Sequence, residues 1–131
     1  MEQLTILIVD DNPVNMKLVR VLLTGDGYQV RTAADAHEAL RILKECHPKL
    51  ILMDIQLPGI DGLELTRRLK ADPSTRDILI IGLTAYAMKG DEDRILAAGC
   101  DGYIAKPIDT RNLPITIRSF LAPEATKSAA V

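Results

Sequence analysis

The chain has 131 residues, of which 47% are hydrophobic and 26% are charged, as expected of one globular domain with one core. Its net charge of −2 excludes a basic surface for nucleic acid or for an anionic membrane. No apolar run approaches the roughly 18 residues of a membrane-spanning helix. The two cysteines, Cys46 and Cys100, lack metal-ligand spacing, so we expect reduced thiols in a cytoplasmic protein.

The first part of the chain predicts two strands, each followed by a helix. Residues 4–9 form a continuous apolar run, which is typical of a strand buried on both faces. Asn12 is a helix N-cap residue, and Pro13 is suited to the first helical position. Residues 28–32 predict a second strand, and the capping-box pattern Asp35-Ala-His-Glu38 predicts the start of a second helix.

The rest of the chain predicts three further strands, each again followed by a helix. Residues 50–54 run apolar into a single carboxylate, and Asp61-Gly-Leu-Glu64 is another capping-box pattern. Residues 78–83 and 102–105 predict the fourth and fifth strands, and Asp109 is expected to cap a last helix. Five alternating strands and helices indicate a parallel sheet with helices on both faces, joined by right-handed crossovers.

Polar side chains cluster where the predicted strands end. Asp10 and Asp11 follow strand one, Asp54 ends strand three, Thr84 follows strand four and Lys106 follows strand five. In an open parallel sheet these carboxyl ends border the crevice in which ligands bind. Taken singly, each residue is explained equally well as a helix cap, a turn residue or a surface charge. Taken together, they predict one site at one edge of the sheet.

The chemistry of this cluster favours a cation and a phosphoryl group. Three carboxylates in one crevice repel each other, and carboxylate oxygens with open positions suit Mg²⁺. A hydroxyl from Thr84 and an ammonium from Lys106 would complete a site for an anion. A carboxylate can accept a phosphoryl group when the transfer is positioned and its charge neutralised. Asp54 is the expected acceptor.

Several motifs of the chain resemble the receiver domain of two-component response regulators over about residues 4–121. The matching segments are Ile8-Val-Asp-Asp-Asn12, Leu52-Met-Asp-Ile-Gln-Leu-Pro-Gly59, Gly62, Leu83-Thr-Ala85, Ala98-Gly99 and Lys106-Pro107. DivK-like single-domain regulators and the receivers of hybrid kinases are similar. The resemblance implies an α/β fold, a (βα)5 flavodoxin-like three-layer sandwich with a parallel five-stranded sheet of order 2-1-3-4-5.

The resemblance also implies a role for each acidic residue. Asp54 would accept the phosphoryl group from a sensor histidine kinase or a histidine phosphotransfer protein. Asp11 would bind Mg²⁺ directly, Asp10 would bind it mainly through water, and the backbone carbonyl of Gln56 would be a further ligand. The protein would not be an enzyme in its own right, but would assist its own phosphorylation and slow dephosphorylation.

Four more residues take roles from the same resemblance. Thr84 would hydrogen-bond a phosphoryl oxygen, Lys106 would pair with the phosphoryl group, and the Lys106–Pro107 peptide bond would be cis. Tyr103 would be an aromatic rotamer switch that responds to Thr84. The surface of the fourth helix, fifth strand and fifth helix would then change shape and contact a downstream protein target.

The expected organisation is a receiver domain over residues 1–122 and a flexible tail over residues 123–131. The tail is too short for an output domain, so the expected output is protein–protein contact by a monomer or a weak dimer, without nucleic acid or membrane. The start at Met1 favours a complete chain, although a receiver cut from a longer protein would look the same.

The residues themselves leave three alternative functions open. An Asp-nucleophile phosphohydrolase would need a second carboxylate two positions after Asp54, where this chain has Gln56. A flavin-binding module would need stacking partners, and only 3% of the residues are aromatic. A receiver-like scaffold that is never phosphorylated would keep the fold but lack phosphate uptake at Asp54.

Overall fold

The computed structural model describes residues 4–55, 62–84 and 89–121. Within these ranges five strands alternate with five helices. The strands are β1 (Thr5–Val9), β2 (Gln29–Ala33), β3 (Leu50–Asp54), β4 (Leu79–Thr84) and β5 (Gly102–Ala105). The helices are α1 (Pro13–Gly25), α2 (Ala36–Leu43), α3 (Gly62–Ala71), α4 (Lys89–Ala97) and α5 (Asn112–Leu121). The expected flexible tail, residues 123–131, lies outside the described residues.

The five strands form one parallel sheet in the order β2-β1-β3-β4-β5, which confirms the predicted topology. β1 and β3 lie side by side in the interior of the sheet, and every residue of β3 is buried. Continuous apolar runs suit these two strands because helices cover both faces of a parallel sheet. The chain order changes direction between β1 and β3, so a crevice opens at their carboxyl ends.

The core has two halves, one on each face of the sheet. Side chains alternate along β1, so that Leu7 and Val9 face one half while Ile6 and Ile8 face the other. The first half packs against α2, α3 and α4, and the second half packs against α1 and α5. This arrangement is the predicted three-layer sandwich, and it fixes the strand ends of the site.

Helix caps follow the sequence pattern where the structure describes them. The Asn12 side chain accepts hydrogen bonds from the backbone N–H groups of Val14 and Asn15 at the start of α1. Asp35 accepts a hydrogen bond from the N–H of Glu38 at the start of α2. Asp109 likewise caps α5. The predicted cap at Asp61 lies outside the described residues.

None of the helices in the described ranges has the length and apolar character needed to cross a lipid bilayer.

Candidate functional site

Three carboxylates meet at the carboxyl ends of β1 and β3. Asp10 and Asp11 follow β1 directly, and Asp54 is the last residue of β3. One carboxylate oxygen from each of the three lies within 4.8 Å of the others. Asp10 and Asp54 are buried, whereas Asp11 is exposed. The predicted acidic cluster therefore has two buried members and one that opens to solvent.

Asp10 is held in place but is incompletely satisfied. Its Oδ1 accepts a hydrogen bond of 2.9 Å from the backbone N–H of Asn12. Its Oδ2 is buried and accepts no hydrogen bond. A buried carboxylate oxygen without a hydrogen-bond donor destabilises the folded state, and a bound cation would offset this loss of free energy.

Lys106 supplies the positive charge of the site from the end of β5. Its Nζ lies 3.3 Å from Oδ2 of Asp54 and 3.8 Å from Oδ2 of Asp10. The Lys106 backbone N–H donates to the carbonyl oxygen of Thr84 over 2.7 Å, and the Lys106–Pro107 peptide bond is cis. Among the described side chains of the pocket, the three carboxylates outnumber this ammonium.

The donor set of the cluster fits a hard divalent cation. Within the described residues the ligands of the cluster are carboxylate oxygens, one of them is the unsatisfied Oδ2 of Asp10, and the exposed Asp11 leaves positions for water. These features match the few-carboxylate, water-rich coordination that Mg²⁺ prefers. Two residues that the sequence places beside the site, Gln56 and Ala85, lie outside the described residues.

Thr84 and Tyr103 lie on the same face of the sheet. Thr84 ends β4 and is buried. Tyr103 of β5 pairs in register with Gly82, and residues two apart along a strand point to the same face.

The Tyr103 hydroxyl donates a short hydrogen bond to the carboxylate of Glu92 on α4. This hydrogen bond to Glu92, with a smaller effect of burial, raises the pKa of Tyr103. Sequence reasoning did not find Glu92, because nothing in the sequence distinguishes it from any other surface glutamate of a helix.

Comparison with known proteins agrees with this geometry. The family model of the response regulator receiver domain matches residues 6–118. The polar-differentiation response regulator DivK of Brucella ovis is 50% identical over 117 residues, which cover 89% of this chain and 95% of that protein. DivK of Brucella anthropi is 49% identical over the same share of both chains.

Solved structures of receivers are also similar. A putative response regulator from Chloroflexus aurantiacus superposes with a TM-score of 0.87 at 35% identity, covering 92% of this chain and 99% of that one. The receiver domain of a Pseudomonas aeruginosa sensor histidine kinase, solved with magnesium coordinated in its active site cleft, has a TM-score of 0.83 at 37% identity and covers 92% and 98% of the two chains. The chain therefore belongs to the response regulator receiver domain family of two-component signalling.

Proposed function

We propose that Asp54 is the phosphoacceptor of this receiver and that its phosphorylation depends on Mg²⁺. The observation that supports this assignment is the position of Asp54, buried at the end of β3, with a second buried carboxylate and the Lys106 ammonium beside it. The phosphoryl donor is a sensor histidine kinase or a histidine phosphotransfer protein.

In the proposed reaction a carboxylate oxygen of Asp54 attacks the phosphorus of a phosphohistidine. A P–O bond forms as the P–N bond breaks, and the departing imidazole nitrogen keeps the electron pair. The reaction needs positioning and charge neutralisation more than proton transfer. The backbone of β3 supplies the positioning, because Asp54 is in register with Leu83 of β4 and cannot swing away with a loop.

Asp10, Asp11 and Asp54 are the residues that would hold Mg²⁺, and the backbone carbonyl of Gln56 is a further proposed ligand. When bound, the ion neutralises the carboxylates and the oxygens of the incoming phosphoryl group. Asp10 contributes the buried oxygen that lacks a donor, and Asp11 contributes the oxygen nearest solvent. The magnesium-containing receiver from Pseudomonas aeruginosa supports this assignment by similarity.

Lys106 and Thr84 are proposed to bind the phosphoryl oxygens after transfer. Lys106 already lies 3.3 Å from Asp54, so its ammonium can follow the negative charge onto the new group. The hydroxyl of Thr84 would turn toward the phosphoryl group, and Tyr103 would occupy the space that this movement frees. The surface of α4, β5 and α5 would change with Tyr103 and would contact the downstream target. Any dephosphorylation that the site assists would be slow.

Phosphotransfer also needs a surface to which the phosphohistidine-bearing protein can bind. α1 begins two residues after Asp11 and exposes Val14, Leu18 and Val21 on its outer side. We include this apolar strip, whose first residue lies three positions after Asp11, in the proposed donor contact. A Val21→Asp variant would keep phosphorylation by a small-molecule donor but would lose rate with any kinase that phosphorylates the wild type. Equal rates with that kinase would remove the strip from the proposal.

The proposed function is tested by intact-protein mass after incubation with acetyl phosphate, with Mg²⁺ or with EDTA. The wild type should gain one phosphoryl group only with Mg²⁺, and Asp54→Ala should gain none. No gain in the wild type, also with a candidate kinase, would favour the scaffold that is never phosphorylated. Rapid release of phosphate from a phosphate ester would favour the phosphohydrolase.

A further inference from the structure

A groove of about 560 Å³ lies between α2 and the end of α3 with the turn that follows it. None of its lining residues belongs to the carboxylate site. Its floor is apolar, because Leu40 and Leu43 of α2 are partly exposed there and Leu69 of α3 closes it from below. The volume falls within the range of about 300–1,000 Å³ that ligand sites occupy.

One rim of the groove carries three basic side chains, two from one face of α2 and the third from Lys44, the residue that directly follows the helix. His37, Arg41 and Lys44 follow each other at spacings of four and three residues, which places them above one another on the helix. All three are exposed. Arginine and lysine side chains are positively charged at neutral pH.

The basic rim takes no part in the ion pairs of the described residues. In the described part of the chain no side-chain hydrogen bond or ion pair involves His37, Arg41 or Lys44. Other charges nearby are paired: Arg31 with Glu45 at 3.3 Å, and His47 with Asp77 at 3.2 Å. The basic rim is thus available to a partner.

The opposite rim has the opposite charge. Asp72 lies in the turn after α3 and accepts hydrogen bonds from the backbone N–H and the hydroxyl of Ser74. The backbone hydrogen bond, and then the hydroxyl one, lower the pKa of Asp72, so it is anionic at neutral pH. The groove therefore has an apolar floor between a basic side and an acidic side.

We propose that this groove binds an acidic peptide segment of a partner protein, with an apolar side chain on the leucine floor and carboxylates along the basic rim of α2. The rim extends over about 10 Å, given a rise of about 1.5 Å per helical residue, so one compact anion cannot contact all three basic side chains. A peptide segment with several spaced carboxylates can contact all three of them. Among the described residues that line the groove there is no Phe, Tyr or Trp ring on which a nucleotide base could stack.

A lipid surface fits the groove less well than a peptide does. The chain carries a net charge of −2, and Asp72 stands on the rim that a flat anionic surface would also touch. The proposal is independent of phosphorylation at Asp54, and either can fail without the other.

The test is an NMR titration of the ¹⁵N-labelled full chain with a blocked synthetic peptide of alternating glutamate and leucine pairs. Saturable shift changes are expected in residues 37–44 and 69–75. The double variant Arg41→Glu/Lys44→Glu should bind about tenfold more weakly or worse, because like charges then face the peptide. Lys17→Glu/Arg20→Glu, the same charge change on α1, should bind as the wild type does.

Two control peptides separate specific from general attraction. Replacing leucine by serine, or glutamate by lysine, should abolish saturable binding. The proposal is overturned if the serine peptide binds as well as the leucine peptide, or if both double variants lose binding equally. Shifts caused only by phosphatidylglycerol vesicles would also overturn it. If the Arg41→Glu/Lys44→Glu spectrum is that of an unfolded chain, Arg41→Gln/Lys44→Gln replaces it and should bind several-fold more weakly.

Discussion

Single residues of the pocket carry an electrostatic cost in the absence of a cation. Asp10 is fully buried, one of its oxygens has no hydrogen-bond donor, and Asp54 lies beside it. Lys106 is closer to Asp54 than to Asp10, by 3.3 Å against 3.8 Å. Of the two buried carboxylates, Asp10 is therefore the one farther from the Lys106 ammonium, and its buried charge costs stability when no cation is bound.

Asp10→Asn should raise the free energy of unfolding in EDTA by about 1 kcal/mol, because it removes a poorly compensated buried charge. Urea unfolding measures this change. Asp11→Asn, at an exposed position, should change stability much less. Mg²⁺ should stabilise the wild type by mass action and Asp10→Asn by a smaller amount. An Asp10→Asn protein that is less stable than the wild type in EDTA would contradict the assignment.

A close approach between β5 and α5 depends on a glycine. A Cβ on Gly102 would lie 2.5 Å from Cζ and 3.0 Å from Cε1 of Phe120. Gly102→Ala should cost about 1–3 kcal/mol through overpacking. In a Phe120→Leu background, Gly102→Ala should cost less stability than it does in the wild type, because the ring that the added methyl would contact is gone.

The matched control is Gly25→Ala at the end of α1, where no atom lies within 4 Å of the added Cβ. That variant should be neutral or stabilising by up to about 1 kcal/mol. Equal losses of stability from both glycine substitutions would show that contact with Phe120 is not the cause.

Among the elements, α4 and β5 are joined by the hydrogen bond from Tyr103 to Glu92. This bond holds the tyrosine hydroxyl at α4 while its ring packs against the core half under α2, α3 and α4. If Tyr103 is the switch, its hydroxyl must break the hydrogen bond to the Glu92 carboxylate when the side chain moves. The link between pocket and output surface then depends on the strength of one hydrogen bond.

Tyr103 should titrate above the ordinary tyrosine pKa, and Glu92→Ala should return its pKa toward the ordinary value. The hydrogen bond to Glu92 raises the pKa of Tyr103 because the ionised phenol could not donate it. A raised pKa in the folded state contributes stability in full below the unfolded pKa, and this contribution is lost as the pH rises through the folded pKa. NMR of labelled tyrosine measures the midpoint. An unchanged midpoint in Glu92→Ala would refute the pairing.

For the whole molecule, the sequence pattern was sufficient for a parallel sheet of five strands and for the gathering of Asp10, Asp11, Asp54 and Lys106 at one edge. The strand order came from the resemblance to receiver domains and not from the pattern. Buried parallel strands have unbroken apolar runs, and their ends must share one edge. The predicted bounds were one residue off at the start of β1 and at both ends of β2 and β4. Backbone pairing between neighbouring strands decides where each strand begins and ends, as in the hydrogen bond from the N–H of Asp10 to the carbonyl oxygen of Ala33.

The contacts that the sequence could not predict are those between elements that are distant along the chain. The pairing of Tyr103 with Glu92 and the approach of Phe120 to Gly102 depend on how α4 and α5 lie on the sheet. The groove between α2 and α3 depends on the gap between two helices, which has no periodic signature in either.

The proposed function requires that Asp54, and no other carboxylate of the pocket, receives the phosphoryl group. The most direct measurement is fragment mass spectrometry of the chain after Mg²⁺-dependent phosphorylation, which locates the group along the sequence. We predict that the group is on the peptide that contains Asp54 and that none is on the peptide that contains Asp10 and Asp11. A phosphoryl group on Asp10, on Asp11 or on a residue outside the pocket would contradict the account.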